Sequence, residues 1–304
     1  MPMPNHLVFI RHGKSEANTV QKGDDHGLEA TIASEVFRRP DWRHRLTPEG
    51  VEQAKNAKKW LDAELGGVAS FDALYVSPFI RTRETAAHLG GEDAIGWTID
   101  DRIVERSWGV YGKRPRAEQR AQFPLTAEEK LANPWYTRLD GGESFPDVYG
   151  RFRDFQGTLH REQEGRRVLV VTHGDFINAS RYGIERMLPE EWERLDEDKE
   201  FTLRNCTALE YTRVNPIDPE DVRSKLTWRR YTYPDDIAGS PCGNQWVELA
   251  QRRRYTGAEL LGQVAISEPL IIQRDMASTV PLLEPRRRTW PELSRYLRAF
   301  IDKR

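Results

Sequence analysis

The chain has 304 residues, 38% of them hydrophobic, and its 46 basic and 48 acidic side chains leave a formal charge of −2. That balance offers no global field for nucleic acid or a membrane surface, and neither is expected as a partner. Cys206 and Cys242 make no disulfide framework or metal-type spacing, no apolar run approaches the ~20 residues of a membrane span, and the opening Met-Pro-Met-Pro-Asn lacks a basic start and an apolar signal segment, so the expected location is cytoplasmic.

The apolar run His6-Leu7-Val8-Phe9-Ile10 reads as a first strand that stops at Arg11-His12-Gly13. Residues 19–45 are polar and weakly periodic, an insert read as a long loop with a helix near Ala30 to Phe37. Thr47-Pro48-Glu49 has the hydroxyl cap, early proline and early carboxylate of a helix start. Val51, Ala54, Leu61 and Leu65 follow at helical spacing, and Gly66-Gly67 ends the helix. Phe71 to Val76 is the next strand, and Ser77-Pro78 opens a helix that carries Arg81. Ser144 and Asp147 have capping-box spacing at the head of a helix reaching Glu164, with Phe145, Val148, Phe152, Phe155 and Leu159 in one apolar stripe. Val168 to Thr172 reads as a fully buried strand. Thr207 to Thr212 and Leu226 to Tyr233 are later strands, the second expected at an edge. From Gln251 onward eleven Lys/Arg face six Asp/Glu, and Thr289 with Glu292 caps a last helix bearing Leu293, Leu297, Phe300 and Ile301.

Strand-like runs that alternate with helical patterns argue for an α/β fold with a mixed, mostly parallel central sheet flanked by helices on both faces. The expected division is a catalytic domain over 1–233, containing the 19–45 insert, and a C-terminal extension over 234–304 packed on the same domain.

Two strands run into the same ending: Ile10 into Arg11-His12-Gly13, and Thr172 into His173-Gly174. Ligands of a doubly wound sheet sit beyond the carboxyl ends of its strands, so these two ends meet in one crevice, with Arg81 in the first turn of a helix at the same edge. Guanidinium forks and a helix N-terminus both favour phosphate oxygens. Arg11, His12, Arg81, Glu105 and His173 are the candidates, and together they suit a phosphoryl group.

The stretch Arg11 to Asn18, Arg-His-Gly-Lys-Ser-Glu-Ala-Asn, resembles the signature of the histidine phosphatase superfamily, in its phosphoglycerate mutase-like branch. Ser77 to Ala86 resembles its second motif, Glu105-Arg106-Ser107-Trp108-Gly109 its third, Gly142-Glu143-Ser144 its helix start and Thr172-His173-Gly174 its last, all in order over roughly residues 6 to 212. The resemblance implies that His12 takes the phosphoryl group as nucleophile and that Glu105 is the proton donor, held protonated by partial burial. It implies that Arg11, Asn18, Arg81, His173 and Gly174 bind the phosphate, and that no cofactor or metal is required because arginines neutralise the transferring group. A small phosphorylated compound is the expected substrate, and the oligomeric state is left open.

The function expected is hydrolysis of a phosphomonoester through phosphohistidine. The rival reading, phosphoglycerate mutase-type phosphoryl transfer, needs a second anion site, for which Lys113, Arg114, Arg116 and Arg138 are the candidates. A lower alternative is a binding module that uses the basic C-terminal tail. The 19–45 insert is longer than usual for the family and is expected at the pocket mouth. Asp24-Asp25-His26 within it reads as a solvated loop rather than a metal site.

Overall fold

The computed structural model describes residues 2–21, 35–90, 96–113, 116–197 and 202–264. Its sheet has seven strands in the order β3-β2-β4-β1-β5-β6-β7. They are β1 (His6–Arg11), β2 (Ala73–Val76), β3 (Thr98–Ile99), β4 (Arg167–Thr172), β5 (Ala208–Thr212), β6 (Trp228–Thr232) and β7 (Val247–Glu248). β3, β2, β4 and β1 are parallel neighbours, and β5, β6 and β7 add antiparallel strands beyond β1. The expected α/β class with a mostly parallel core holds.

The helices are α1 (Glu16–Gln21), α2 (Pro48–Leu65), α3 (Ile80–Gly90), α4 (Arg116–Gln122), α5 (Pro124–Ala132), α6 (Phe145–Glu162), α7 (Gly174–Ile184), α8 (Pro189–Glu197) and α9 (Gly257–Val264), with a further helical turn at 35–38. The period-two alternation of β1 explains the layers. Leu7 and Phe9 join one buried cluster with Phe145, Val148, Phe152, Phe155 and Leu159 of α6 and with Phe176 and Ile177 of α7. Val8 and Ile10 join the opposite cluster with Ala54, Ala57, Trp60 and Leu61 of α2 and with Ala86 and Leu89 of α3. Each fully buried Val, Leu, Ile or Phe side chain of these stripes contributes about 1.5–3 kcal/mol.

Both main helices are capped as their sequences require. Thr47 Oγ1 accepts the Gly50 N–H at 3.1 Å, and Gly66 ends α2 in the left-handed region. The Asp147 carboxylate accepts from the Ser144 N–H and hydroxyl at 2.7 and 2.6 Å.

One expectation changes. Leu226 to Tyr233 does not supply an edge strand, because β7 pairs with β6 and takes the edge. β7 is two residues long and has no periodicity from which to read it.

Residues Met1–Arg252 form one compact unit and Arg253–Arg304 a second. Within the second, α9 starts where Thr256 donates its N–H and hydroxyl to Glu259, at 2.8 and 3.0 Å. The expected last helix after Thr289 lies outside the described residues, as do Asp24, Asp25 and His26. Among the described residues, no helix is long and apolar enough to cross a membrane.

Candidate active site

Strand register brings the site together. The parallel pairing of β1 with β4 sets Arg11 opposite Thr172, and the His12 N–H donates to the Thr172 carbonyl at 3.0 Å, so His12 and His173 emerge side by side. β2 aligns Val76 with Val171, which places Ser77 and the start of α3 at the same edge. The two imidazoles meet edge-on with ring centroids 5.1 Å apart, and His12, Arg81 and His173 are 2%, 3% and 0% exposed.

The turn after His12 depends on glycine for an unexpected reason. A Cβ on Gly13 would lie 2.4 Å from the Gly50 carbonyl oxygen, and one on Gly50 would lie 2.1 Å from that of Lys14. The close approach is to the first turn of α2, not to a ligand. It lets two backbones touch and locks the loop that carries His12.

Hydrogen bonds assign the His12 tautomer and bear on that of His173. His12 Nδ1 donates to its neighbour's carbonyl, Gly13 O, at 2.7 Å. Its Nε2 therefore holds the lone pair, and Arg81 Nε donates toward it at 3.3 Å. The Ser77 hydroxyl accepts the Phe79 N–H at 3.4 Å and lies 2.8 Å from His173 Nε2, to which it can donate its own proton. With the hydroxyl as donor, the proton of His173 sits on Nδ1, a buried atom with no hydrogen-bond partner among the described residues. Burial, then the charges of Arg81 and its neighbours, hold both histidines well below their usual range, so both are neutral at pH 7.

Arg11 donates Nη1 to the Leu203 carbonyl, while its buried Nε has no partner among the described residues. Buried donors of this kind cost stability unless something accepts from them. Asn18 Oδ1 accepts from Ser15 N at 3.1 Å, Ser15 Oγ at 3.1 Å and Asn205 Nδ2 at 3.2 Å, so its amide is fixed with the NH₂ left to donate.

Glu105 follows the turn Asp101–Ile103 and is held from behind by Arg151 of α6. That side chain donates to the carbonyls of Arg102, Val104 and Glu105 and forks onto Glu143 at 2.8 and 3.0 Å. Glu105 Oε1 accepts the N–H groups of Arg106 and Asp175, both at 3.0 Å. Burial, and then the neighbouring Asp175 charge, raise its pKa from the ordinary carboxylate range to about 7. Glu105, His12 and His173 each bring a ligand-type atom within 4.8 Å of the others, a spacing that a divalent cation could bridge. The surrounding guanidinium groups of Arg11 and Arg81 oppose a cation there and favour an anion.

The site opens into a cavity of about 1030 Å³. Arg11, His12, Asn18, Arg81, Glu105 and Gly174 line it, and so do Phe37, Asp41, Trp42 and His44 from the described end of the insert. Arg138 is not among the lining residues. It is exposed and pairs with Asp147 at the head of α6 at 2.6 Å. Only the backbone is described for Lys113 and Arg116, and Arg114 lies outside the described residues. Sequence reasoning missed Ser77, Asn205 and Asp41. Ser77 stood inside a quoted motif, but nothing in the spacing ties it to His173.

A family model and several known proteins match the chain. The family model of the histidine phosphatase superfamily (branch 1) matches residues 7–215. The chain is 29% identical over 193 residues to the phosphoglycerate mutase-like protein AT74H of Arabidopsis thaliana, which covers 57% of this chain and 63% of that protein, less than two thirds of its length. It is 28% identical over 167 residues to phosphoserine phosphatase 1 of Hydrogenobacter thermophilus, covering 55% of this chain and 70% of the relative. The crystal structure of the alpha-ribazole phosphatase from Shigella flexneri superposes with a TM-score of 0.55 at 20% identity, over 73% of this chain and 96% of that one, a likeness of fold.

Proposed function

Because the chain belongs to the histidine phosphatase superfamily, branch 1, we propose that it hydrolyses phosphomonoesters through a phosphohistidine at Nε2 of His12. The observation that carries this reading is the His12 tautomer. Nδ1 is committed to Gly13, which leaves the Nε2 lone pair facing Arg81 in a buried, positively charged setting.

In the first half-reaction Nε2 attacks phosphorus in line with the departing oxygen, the N–P bond forms and the P–O bond breaks. Glu105 gives its proton to the departing alkoxide. The transferring group carries charge on three oxygens, and four donors are available to hold it: Arg11 Nε, the Arg81 guanidinium, His173 Nδ1–H and the Asn18 amide. In the second half-reaction Glu105, now a carboxylate, takes a proton from water as the water oxygen attacks phosphorus. Inorganic phosphate leaves and His12 is regenerated neutral. A Cβ at Gly174 would make ordinary van der Waals contact, 3.6 Å from Arg11 Nε and 3.9 Å from Glu105 Oε2, so space alone does not require glycine there. No step in this scheme calls on a metal or cofactor.

A mutase must keep water away from its phosphoenzyme and bind a second anionic group. The wide cavity and the position of Arg138 support hydrolysis over that reading. Measuring p-nitrophenyl phosphate hydrolysis beside 3-phosphoglycerate isomerisation, with the wild type and His12→Ala, tests the assignment. Hydrolysis lost on substitution, with isomerisation slower than hydrolysis, is expected; isomerisation without net phosphate release would replace it with the mutase. The cytoplasmic setting belongs to the same proposal.

A further inference from the structure

The insert delivers one carboxylate to the most sensitive cation of the site. Asp41 Oδ1 accepts from Arg81 Nη1 at 3.0 Å, Oδ2 accepts from Nη2 at 3.1 Å, and the Asp41 carbonyl accepts from Nη1 at 2.7 Å. A guanidinium carries five N–H donors in two forks, one at its end (Nη1 and Nη2) and one along its side (Nε and Nη2). Asp41 takes both protons of Nη1 and one of Nη2. What remains is the Nε–H, 3.3 Å from His12 Nε2, and the second Nη2–H beside it.

The carboxylate is itself anchored. His44 Nδ1 lies 3.3 Å from Asp41 Oδ1, and its Nε2 lies 2.9 Å from the Val36 carbonyl. The Asp41 side chain is about half exposed, and His44 and Arg81 hold it well below the usual carboxylate range, so it stays charged. The returning chain is pinned to α1 and α3: Arg39 pairs with Glu16 at 2.7 Å, and the Leu46 N–H donates to Glu84 at 2.8 Å.

We propose that Asp41 is a positioning residue, which grips the end fork of the Arg81 guanidinium and so presents the side fork to the phosphoryl group on His12. The proposal rests on the phosphatase reading above. Asp41 touches no reacting atom; it acts through Arg81, restricting a side chain that would otherwise sample several rotamers. It also gives the insert a role inside the site as well as at its mouth.

The test is a double-mutant cycle with two readouts, p-nitrophenyl phosphate turnover and the calorimetric Kd of inorganic phosphate, on folded proteins checked by thermal melting. Asp41→Asn is expected to lower kcat about tenfold, with a smaller rise in KM, and to weaken phosphate binding. Asp41→Glu restores part of kcat, and in an Arg81→Ala background Asp41→Asn has little further effect on either readout. An equal loss in the Arg81→Ala background overturns the proposal, because the residue would then act independently of the guanidinium. Faster turnover or tighter phosphate binding by Asp41→Asn also overturns it, since Asp41 would then be a competitor for the phosphate site. His12→Ala, measured in parallel, reports on the phosphatase reading separately: its turnover bears on that reading alone, and phosphate affinity still tests Asp41.

Discussion

The two ends of β1 carry the same three kinds of side chain and put them to opposite uses. Toward the amino end, His6 Nε2 lies 3.1 Å from Glu210, and Arg230 forks onto the same carboxylate at 2.7 and 3.2 Å. Burial alone would raise Glu210, but His6 and Arg230 pull it below its ordinary value. At the carboxyl end the pairing is crossed. His12 faces Arg81, and Glu105, although near the arginines, is pushed up by burial and then by Asp175 beside it. The first cluster is closed and satisfied by itself. The second keeps a lone pair, a carboxyl proton and N–H donors on Arg11 and His173 that have no partner among the described residues and that an added anion would satisfy. A buried charge cluster is therefore a sign of function only when its members are left mismatched.

Substitutions at the two ends should separate activity from stability. The largest effect is expected from His12→Ala, which removes the nucleophile and should lower kcat by about 10⁴-fold or more in a phosphate-release assay. Next, Arg81→Ala should cost about 10²–10³-fold in kcat, the usual loss for one donor to a developing oxyanion. Glu105→Gln should cost about 10²-fold or more with an alkyl phosphate, whose alkoxide needs a proton, and clearly less with p-nitrophenyl phosphate. At the closed end Glu210→Gln should destabilise the fold by about 2–3 kcal/mol in urea unfolding, because Arg230 and His6 lose a charged partner, while kcat of the folded enzyme stays unchanged.

The smallest effects concern pH, and their signs differ between the ends. Glu105 must hold its proton to act as acid, so kcat/KM for an alkyl phosphate should fall above about pH 7, and Glu105→Gln should remove that limb. The raised Glu105 stabilises the fold below the unfolded carboxylate value of about 4.3, a contribution lost as pH rises through about 7. Glu105→Gln should therefore raise Tm by a few degrees at pH 8, relative to its effect at pH 4. Glu210 is depressed, so its contribution is present above about pH 4.3 and is lost as pH falls through its lower native value. The Tm gap between wild type and Glu210→Gln should accordingly shrink on acidification.

Much of this arrangement could be read from the chain alone where the physics is local. The apolar stripe of α6, the cap at Thr47 and the strands ending at His12 and His173 are all short-range patterns, and the structure has each of them. The convergence of the strand ends followed from the general rule for parallel sheets, and the individual roles came from the resemblance to a known family. What escaped depends on contacts distant in sequence. Asp41 reaches Arg81 across forty residues, Ser77 reaches His173 across ninety-six, and Asn205 reaches Asn18 across 187. The insert that carries Asp41 is polar and aperiodic, so its pattern named no partner. β7 is too short to show alternation, and this is why β6 looked like an edge. The close approach at Gly13 to the Gly50 backbone likewise joins segments far apart in sequence, and no local pattern signals it.

The most direct test is to quench turnover of a ³²P-labelled phosphomonoester and map the labelled peptide by mass spectrometry. The account predicts an acid-labile, base-stable phosphoryl group on Nε2 of His12, formed and lost at rates compatible with kcat and absent from His12→Ala. Continued turnover with no such adduct, or label residing on another residue, would contradict it.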